Sequence, residues 1–154
     1  MVIGWSYGGP IAAKMAIDSP ELLGSVIMLA PALDPKAERY FALGKLAEWK
    51  TTKWFVPDSF KVAQKEKRAH AASLSNLREE WKKLQRPIII MMHGTKDKIV
   101  PYTPNIEFAL KHFDKNHFKL LPVEGKGHVF PMSETEKILE TLLSELKQLE
   151  KKPN

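Results

Sequence analysis

Apolar positions along this chain follow two rhythms. Short runs that are apolar at nearly every position alternate with stretches in which apolar residues recur every three or four places. Met1-Val2-Ile3 is the first short run and ends at Gly4; Ser25 to Ala30 (SVIMLA) and Pro87 to Met92 (PIIIMM) follow. Runs of this length without alternation suit strands buried on both faces of a sheet. Phe118 to Val123 (FKLLPV) makes a fourth strand. Its Pro122 has no N–H to give a neighbour, which argues for an edge position or an early stop. Pro10 to Ile17 and about Asn105 to Phe113 read as helices between strands. Proline is tolerated in a first helical turn, and the alanines that follow Pro10 allow close packing.

The C-terminal stretch carries the clearest helical signal. Ser133 and Glu136 have the spacing of a capping box, in which each side chain satisfies a free backbone N–H at a helix start. Ile138, Leu139, Leu142, Leu143, Leu146 and Leu149 then repeat at helical spacing and predict one apolar face. The order of strands and helices predicts an α/β fold, a mostly parallel sheet flanked by helices. One segment interrupts it. Residues 34–86 read as helices, with Leu74, Leu77, Trp81 and Leu84 on one stripe. Tyr40, Phe41, Trp49, Trp54, Phe55 and Phe60 make this the most aromatic part of the chain. The expected division is therefore a core of residues 1–33 and 87–154 with a helical insertion at 34–86.

Charge sharpens that division. The insert holds 13 Lys and Arg against 7 Asp and Glu, which accounts for the whole formal charge of +6 on the 154 residues. A basic segment of this kind reads as a solvated face, or as a surface for an acidic substrate, an acidic partner protein or an anionic membrane. A sequence pI near 9.4 without a recognition motif does not support nucleic-acid binding. With 44% hydrophobic and 27% charged residues the chain has the balance of a soluble domain. The absence of cysteine excludes disulfides and thiolate metal sites. No apolar run approaches the ~18 residues of a membrane span, and the first residues do not read as a secretory leader. A cytoplasmic location is expected. Five histidines at no metal-ligand spacing, and no glycine-rich phosphate loop, predict neither metal nor cofactor.

Candidate chemistry begins at Gly4-Trp5-Ser6-Tyr7-Gly8. A serine hydroxyl becomes a useful nucleophile only when a base takes its proton and an acid steadies that base. Gly-x-Ser-x-Gly between a strand and a helix puts the serine on a sharp turn, with glycines where a Cβ would strike backbone. The helix after the turn aims its N-terminus at the reacting carbonyl, so the Tyr7 N–H is a candidate oxyanion donor. HGTKDKIVP directly follows PIIIMM and places Asp97 in a loop at the carboxyl end of that strand. EGKGHVF follows the last strand and places His128 in a glycine-rich loop. Functional groups of parallel α/β sheets gather at such ends. An aspartate in such a loop also serves as an ordinary turn cap. His128 competes with His70, which lies in the insert, with His93, better suited to support the acid loop, and with His112 and His117, which read as surface residues.

These pieces, GWSYGG, GTKDKIVP and GKGH, resemble the α/β-hydrolase fold serine hydrolases over nearly the whole chain. The resemblance implies Ser6 as nucleophile, Asp97 as acid and His128 as base, acting on a small-molecule ester, thioester or similar acyl bond. It implies that the helical insert is a cap over the substrate pocket, with Trp5, Trp49, Trp54 and Phe55 as candidate pocket residues. The family also has further strands before the nucleophile and a second oxyanion donor in a loop among them. Against that pattern the chain reads as a C-terminal half, weakly active or inactive alone. It is expected to join an N-terminal hydrolase half or to self-associate through the strand at 1–3. The alternative is a non-catalytic protein that binds partners through that sheet edge or through the basic insert.

Overall fold

The computed structural model describes residues 1–21, 24–37, 58–77, 80–84 and 87–150. Four parallel strands, β1 (Val2–Trp5), β2 (Ser25–Leu29), β3 (Ile88–Gly94) and β4 (Phe118–Val123), lie in the order β1-β2-β3-β4. Helices separate them: α1 (Gly8–Asp18), α2 (Asp58–Leu77) with a 3₁₀ turn at Glu80–Lys83, and α3 (Tyr102–His112). After β4 come a short α4 (Phe130–Ser133) and a long α5 (Thr135–Glu150). Among the described residues no helix is long and apolar enough to cross a membrane.

Because side chains alternate along a strand, the apolar runs feed both faces of the sheet. Val26, Met28, Ile89 and Met91 face α1, the end of α2 and α3, and pack with Ala12, Ala13, Ala16, Leu74, Trp81 and Ala109. Ile27, Leu29, Ile90 and Met92 face the other way, onto Phe130, Ile138 and Leu142. The stripe Leu74, Leu77, Trp81 and Leu84 lies wholly in the first of these cores. The later part of residues 34–86 is thereby fastened to the sheet by apolar burial. Pro122 lies on β4, at the sheet edge, opposite His93.

Three local expectations need correction. β1 runs on through Gly4 to Trp5, because the pairing with β2 continues to Trp5 opposite Leu29. The capping box at Ser133 does not form. Residues 130–133 wind a turn of their own, the Ser133 hydroxyl donates to the Phe130 carbonyl, and α5 starts only at Thr135. The leucine face of α5 also divides. Ile138 and Leu142 are buried, while Leu139 and Leu143 are 48% and 55% exposed. A single sheet face can cover only the inner part of so wide a stripe.

Candidate active site

Ser6 stands where β1 gives way to α1, with φ of 55°, the left-handed region that costs a non-glycine residue about 1–2 kcal/mol. Backbone bonds hold it there. Its N–H donates to the Leu29 carbonyl at 2.9 Å, and its own carbonyl accepts from Gly9 N at 3.1 Å and Ala32 N at 3.3 Å. Two glycines make the turn possible. A Cβ on Gly4 would lie 2.1 Å from the Gly8 carbonyl oxygen, and one on Gly9 would lie 2.5 Å from Pro31 Cβ. Gly8 is different from what its place in the pattern suggests, since a Cβ there would meet nothing within 4 Å.

Asp97 lies in the loop after β3 and is buried. One carboxylate oxygen, Oδ1, accepts from Ile99 N and Val100 N, each at 2.9 Å, and so caps the turn. The other, Oδ2, lies 2.7 Å from Nδ1 of His128. The turn-capping role and the partnership with histidine therefore coexist on opposite oxygens. His93, fully buried at the end of β3, places Nε2 3.0 Å from the Val100 carbonyl and 3.3 Å from Asp97 Oδ2. A proton on Nε2 satisfies both acceptors, and His93 thus supports the acid loop. Burial alone would raise the Asp97 carboxyl. The hydrogen bonds from His128, His93 and the Val100 N–H outweigh it and hold the group well below the usual carboxylate range.

The loop after β4 is laced to the Asp97 loop. Lys96 N donates to the Lys126 carbonyl at 2.9 Å, Thr95 N to the Val123 carbonyl at 3.1 Å, and Gly125 N to Thr95 Oγ1 at 2.9 Å. A Cβ on Gly94 would sit 2.4 Å from the Lys126 carbonyl oxygen, so only glycine lets the two loops approach. Gly125, at φ 72°, supplies the sharp bend, and an ion pair between Lys126 and Glu134 ties the loop to the start of α5. His128 is consequently buried, with Nδ1 committed to Asp97 and Nε2 left as the nitrogen available for proton transfer. Trp5, next to Ser6, donates its indole N–H to the His128 carbonyl at 3.3 Å, with ring centroids 5.7 Å apart. Among the described residues no hydrogen bond joins Ser6 Oγ to His128. Trp49, Trp54 and Phe55 lie outside the described residues.

Two features escaped the sequence reading. Asn105, on the inward face of α3, accepts through Oδ1 from Leu33 N at 2.7 Å and Asp34 N at 3.0 Å, and donates to the Pro101 carbonyl. It pins the segment that leaves β2. Its only signal was a polar residue inside an otherwise apolar stripe. The side chain of Tyr7, a residue the sequence singles out only for its backbone N–H, is the other: its ring stacks on His70 of α2, with centroids 3.9 Å apart and planes inclined by 22°. A cleft of about 290 Å³ opens beside that stack, between α1 and α2, and none of Ser6, Asp97 and His128 lines it.

A parallel sheet flanked by helices, with these loops at its carboxyl edge, is the fold of the α/β hydrolases. The sequence model of the prolyl oligopeptidase family matches residues 1–151, and the chain belongs to that family. Solved structures agree on the fold. The α/β hydrolase MGS-MChE2, from a lagoon-sediment metagenome of Mar Chica, Morocco, is 18% identical with a TM-score of 0.64, over 95% of this chain and 60% of its own. A membrane phospholipase A described as a bacterial virulence factor is 17% identical with a TM-score of 0.64, over 97% and 57%. The "predicted CIB-like hydrolase" of Thermoplasma acidophilum is 20% identical with a TM-score of 0.60, over 96% and 50%. The chain thus spans about half to three fifths of the length of these structures. No curated protein matches it.

Proposed function

We propose that this hydrolase-family chain carries a serine nucleophile, Ser6, that cleaves an ester, thioester or similar acyl bond with His128 as base and Asp97 as the acid behind it. The 2.7 Å contact between His128 Nδ1 and Asp97 Oδ2, at the same sheet edge as the strained Ser6 turn, is the observation that carries the reading. Ser6 Oγ attacks the acyl carbon and its proton passes to His128 Nε2. Asp97 stabilises the positive imidazolium through Nδ1–H without taking the proton itself. The developing oxyanion lies at the N-terminus of α1, where the Tyr7 N–H is its donor. His128 then protonates the departing alcohol, thiol or amine, and water releases the acyl group by the same steps in reverse. Trp5, next to Ser6 in the chain and bonded through its indole to the His128 carbonyl, serves in this reading as one wall of the pocket. The family's name adds peptide bonds to the acyl linkages that merit trial.

Incubation with a fluorophosphonate, followed by peptide mass spectrometry, tests the assignment. The adduct is expected on Ser6 and is absent from Ser6→Ala; an unmodified Ser6 in the folded chain rejects the reading. Paired ester and peptide-amide substrates then define the bond.

A second reading, association through the sheet edge, is favoured by β1. Among the described strands it pairs only with β2, and Ile3 on it is 46% exposed. Ile3→Lys reduces self-association in sedimentation if this reading holds, and leaves it unchanged otherwise.

A further inference from the structure

The backbone turn at Ser6 is strained, and Ser6 itself bonds through its backbone to Leu29, Gly9 and Ala32. Tyr7 follows at the N-cap position of α1, in helical conformation (φ −62°, ψ −23°), and does not cap the helix through its side chain. Stacked rings 3.9 Å apart give that turn a tether from elsewhere in the fold. The partner ring belongs to His70 on α2. Leu74 and Leu77, one and two turns further along, fall on the same helical face and are buried in the main core. The imidazole is therefore anchored from below, by residues that cannot move without disturbing the sheet. The cleft between α1 and α2, walled by Pro10, Ile11, Leu74 and His70 itself, lies on one flank of the stack.

We propose that His70 is a positioning residue: its ring, stacked on Tyr7, fixes the backbone turn of Ser6 and couples helix α2 to the reacting serine. The kinetic part of this inference rests on the function proposed for Ser6, and the structural part stands without it. A segment of the basic insert would then influence the reaction from outside the substrate pocket, by setting the attitude of the Tyr7 N–H.

Amide hydrogen exchange resolved to single residues, on the full chain, tests it with His70→Leu and His70→Phe. Both variants keep side-chain bulk and helical preference, but only phenylalanine keeps a flat ring. Exchange at Ser6 N and Gly9 N, the amides bonded to Leu29 and Ser6, is expected to quicken about three- to tenfold in the leucine variant, the size of one aromatic stack, and to stay within about twofold of wild type with phenylalanine. Ala30 N and Lys96 N, bonded to Met92 and Lys126, serve as references and are expected to hold their rates. The rate of fluorophosphonate capture at saturation is expected to fall by a similar factor with leucine, while the concentration for half-saturation stays constant. Equal behaviour of the two variants, unchanged exchange in both, or acceleration that includes the reference amides overturns the positioning role. Failure of the wild-type chain to label at Ser6 removes the function instead, and leaves the exchange comparison to decide the tether alone.

Discussion

The loops that bear Asp97 and His128 are held quite differently from the turn that bears Ser6. Backbone bonds run directly between the first two, from Lys96 to Lys126 and from Thr95 to Val123, and both side chains are buried. Most of what holds them comes from β3, β4 and the residues that follow each, with the Trp5 indole bonded to the His128 carbonyl from the serine side. The serine turn follows β1, whose only described strand neighbour is β2, bonds through its backbone to Leu29 and Ala32, and carries a ring stack reaching from α2. The Asp97–His128 pair, built within one stretch of sequence, is thus set against a proposed nucleophile whose turn depends on distant segments. The contrast suggests where disturbance does most harm. Changes at the acid–base pair should strike chemistry outright, whereas changes around the serine turn should act through its backbone.

The largest effect expected is that of Asp97→Asn. Asparagine keeps an oxygen for the Ile99 and Val100 amides, so the turn survives. Its amide nitrogen, facing His128 Nδ1, forces that nitrogen to accept and leaves the proton on Nε2, where the base must be bare. A loss of about 10⁴ in kcat is the scale of this tautomer error, and it applies equally to the rate of phosphonate capture. A loss below tenfold would show that the 2.7 Å contact has no part in the chemistry.

Gly94→Ala attacks the seam between the two loops. Its Cβ would meet backbone, the Lys126 carbonyl oxygen at 2.4 Å, and not the end of a side chain that can swing away. Overpacking of that kind costs about 3 kcal/mol, roughly 6–12 °C in Tm for a chain of this size. Calorimetry checks it. An unchanged Tm would mean that the loops can part cheaply, and the contrast with the serine turn would vanish.

Much of this arrangement was legible in the sequence. Short, mostly apolar runs marked the four strands, and the loops after β3 and β4 brought Asp97 and His128 to one edge, because each loop follows its strand directly. Helix ends and long-range pairings were not. The Ser133–Glu136 spacing resembles a cap, but Phe130 and Pro131 had already begun a turn that used the Ser133 hydroxyl. Asn105 bonds to an amide 72 residues away, and His70 meets a tyrosine from the first turn of the fold. Such pairings leave no period in the sequence.

Acid sharpens the comparison further. A carboxyl held low by its partners adds stability that is complete above its unfolded value, about 3.9, and is lost as pH falls through its folded value. Asp97 is such a group: burial opposes its ionisation, and the hydrogen bonds from His128, His93 and Val100 prevail. The wild-type chain should therefore lose stability more steeply than Asp97→Asn as pH drops below about 4. Urea midpoints at a series of pH values measure the two slopes, and parallel slopes would take Asp97 out of the acid response.

The smallest effect distinguishes the glycines of the serine turn itself. Gly4 and Gly9 have no room for a Cβ, but Gly8 opens α1 and would place one in free space. Its backbone lies outside the left-handed region, which Ser6 enters and Gly8 does not. Gly8→Ala therefore restricts the unfolded chain without straining the folded one, and should stabilise by about 0.4–1 kcal/mol, or roughly 1–4 °C in Tm. Phosphonate capture at Ser6 should be unchanged, because the Ser6 and Gly9 bonds that hold the turn do not involve a side chain at position 8. A fall in Tm would mean that the turn has less slack than its contacts indicate. The serine side would then be as tightly specified as the Asp97–His128 side, and the asymmetry between them would narrow.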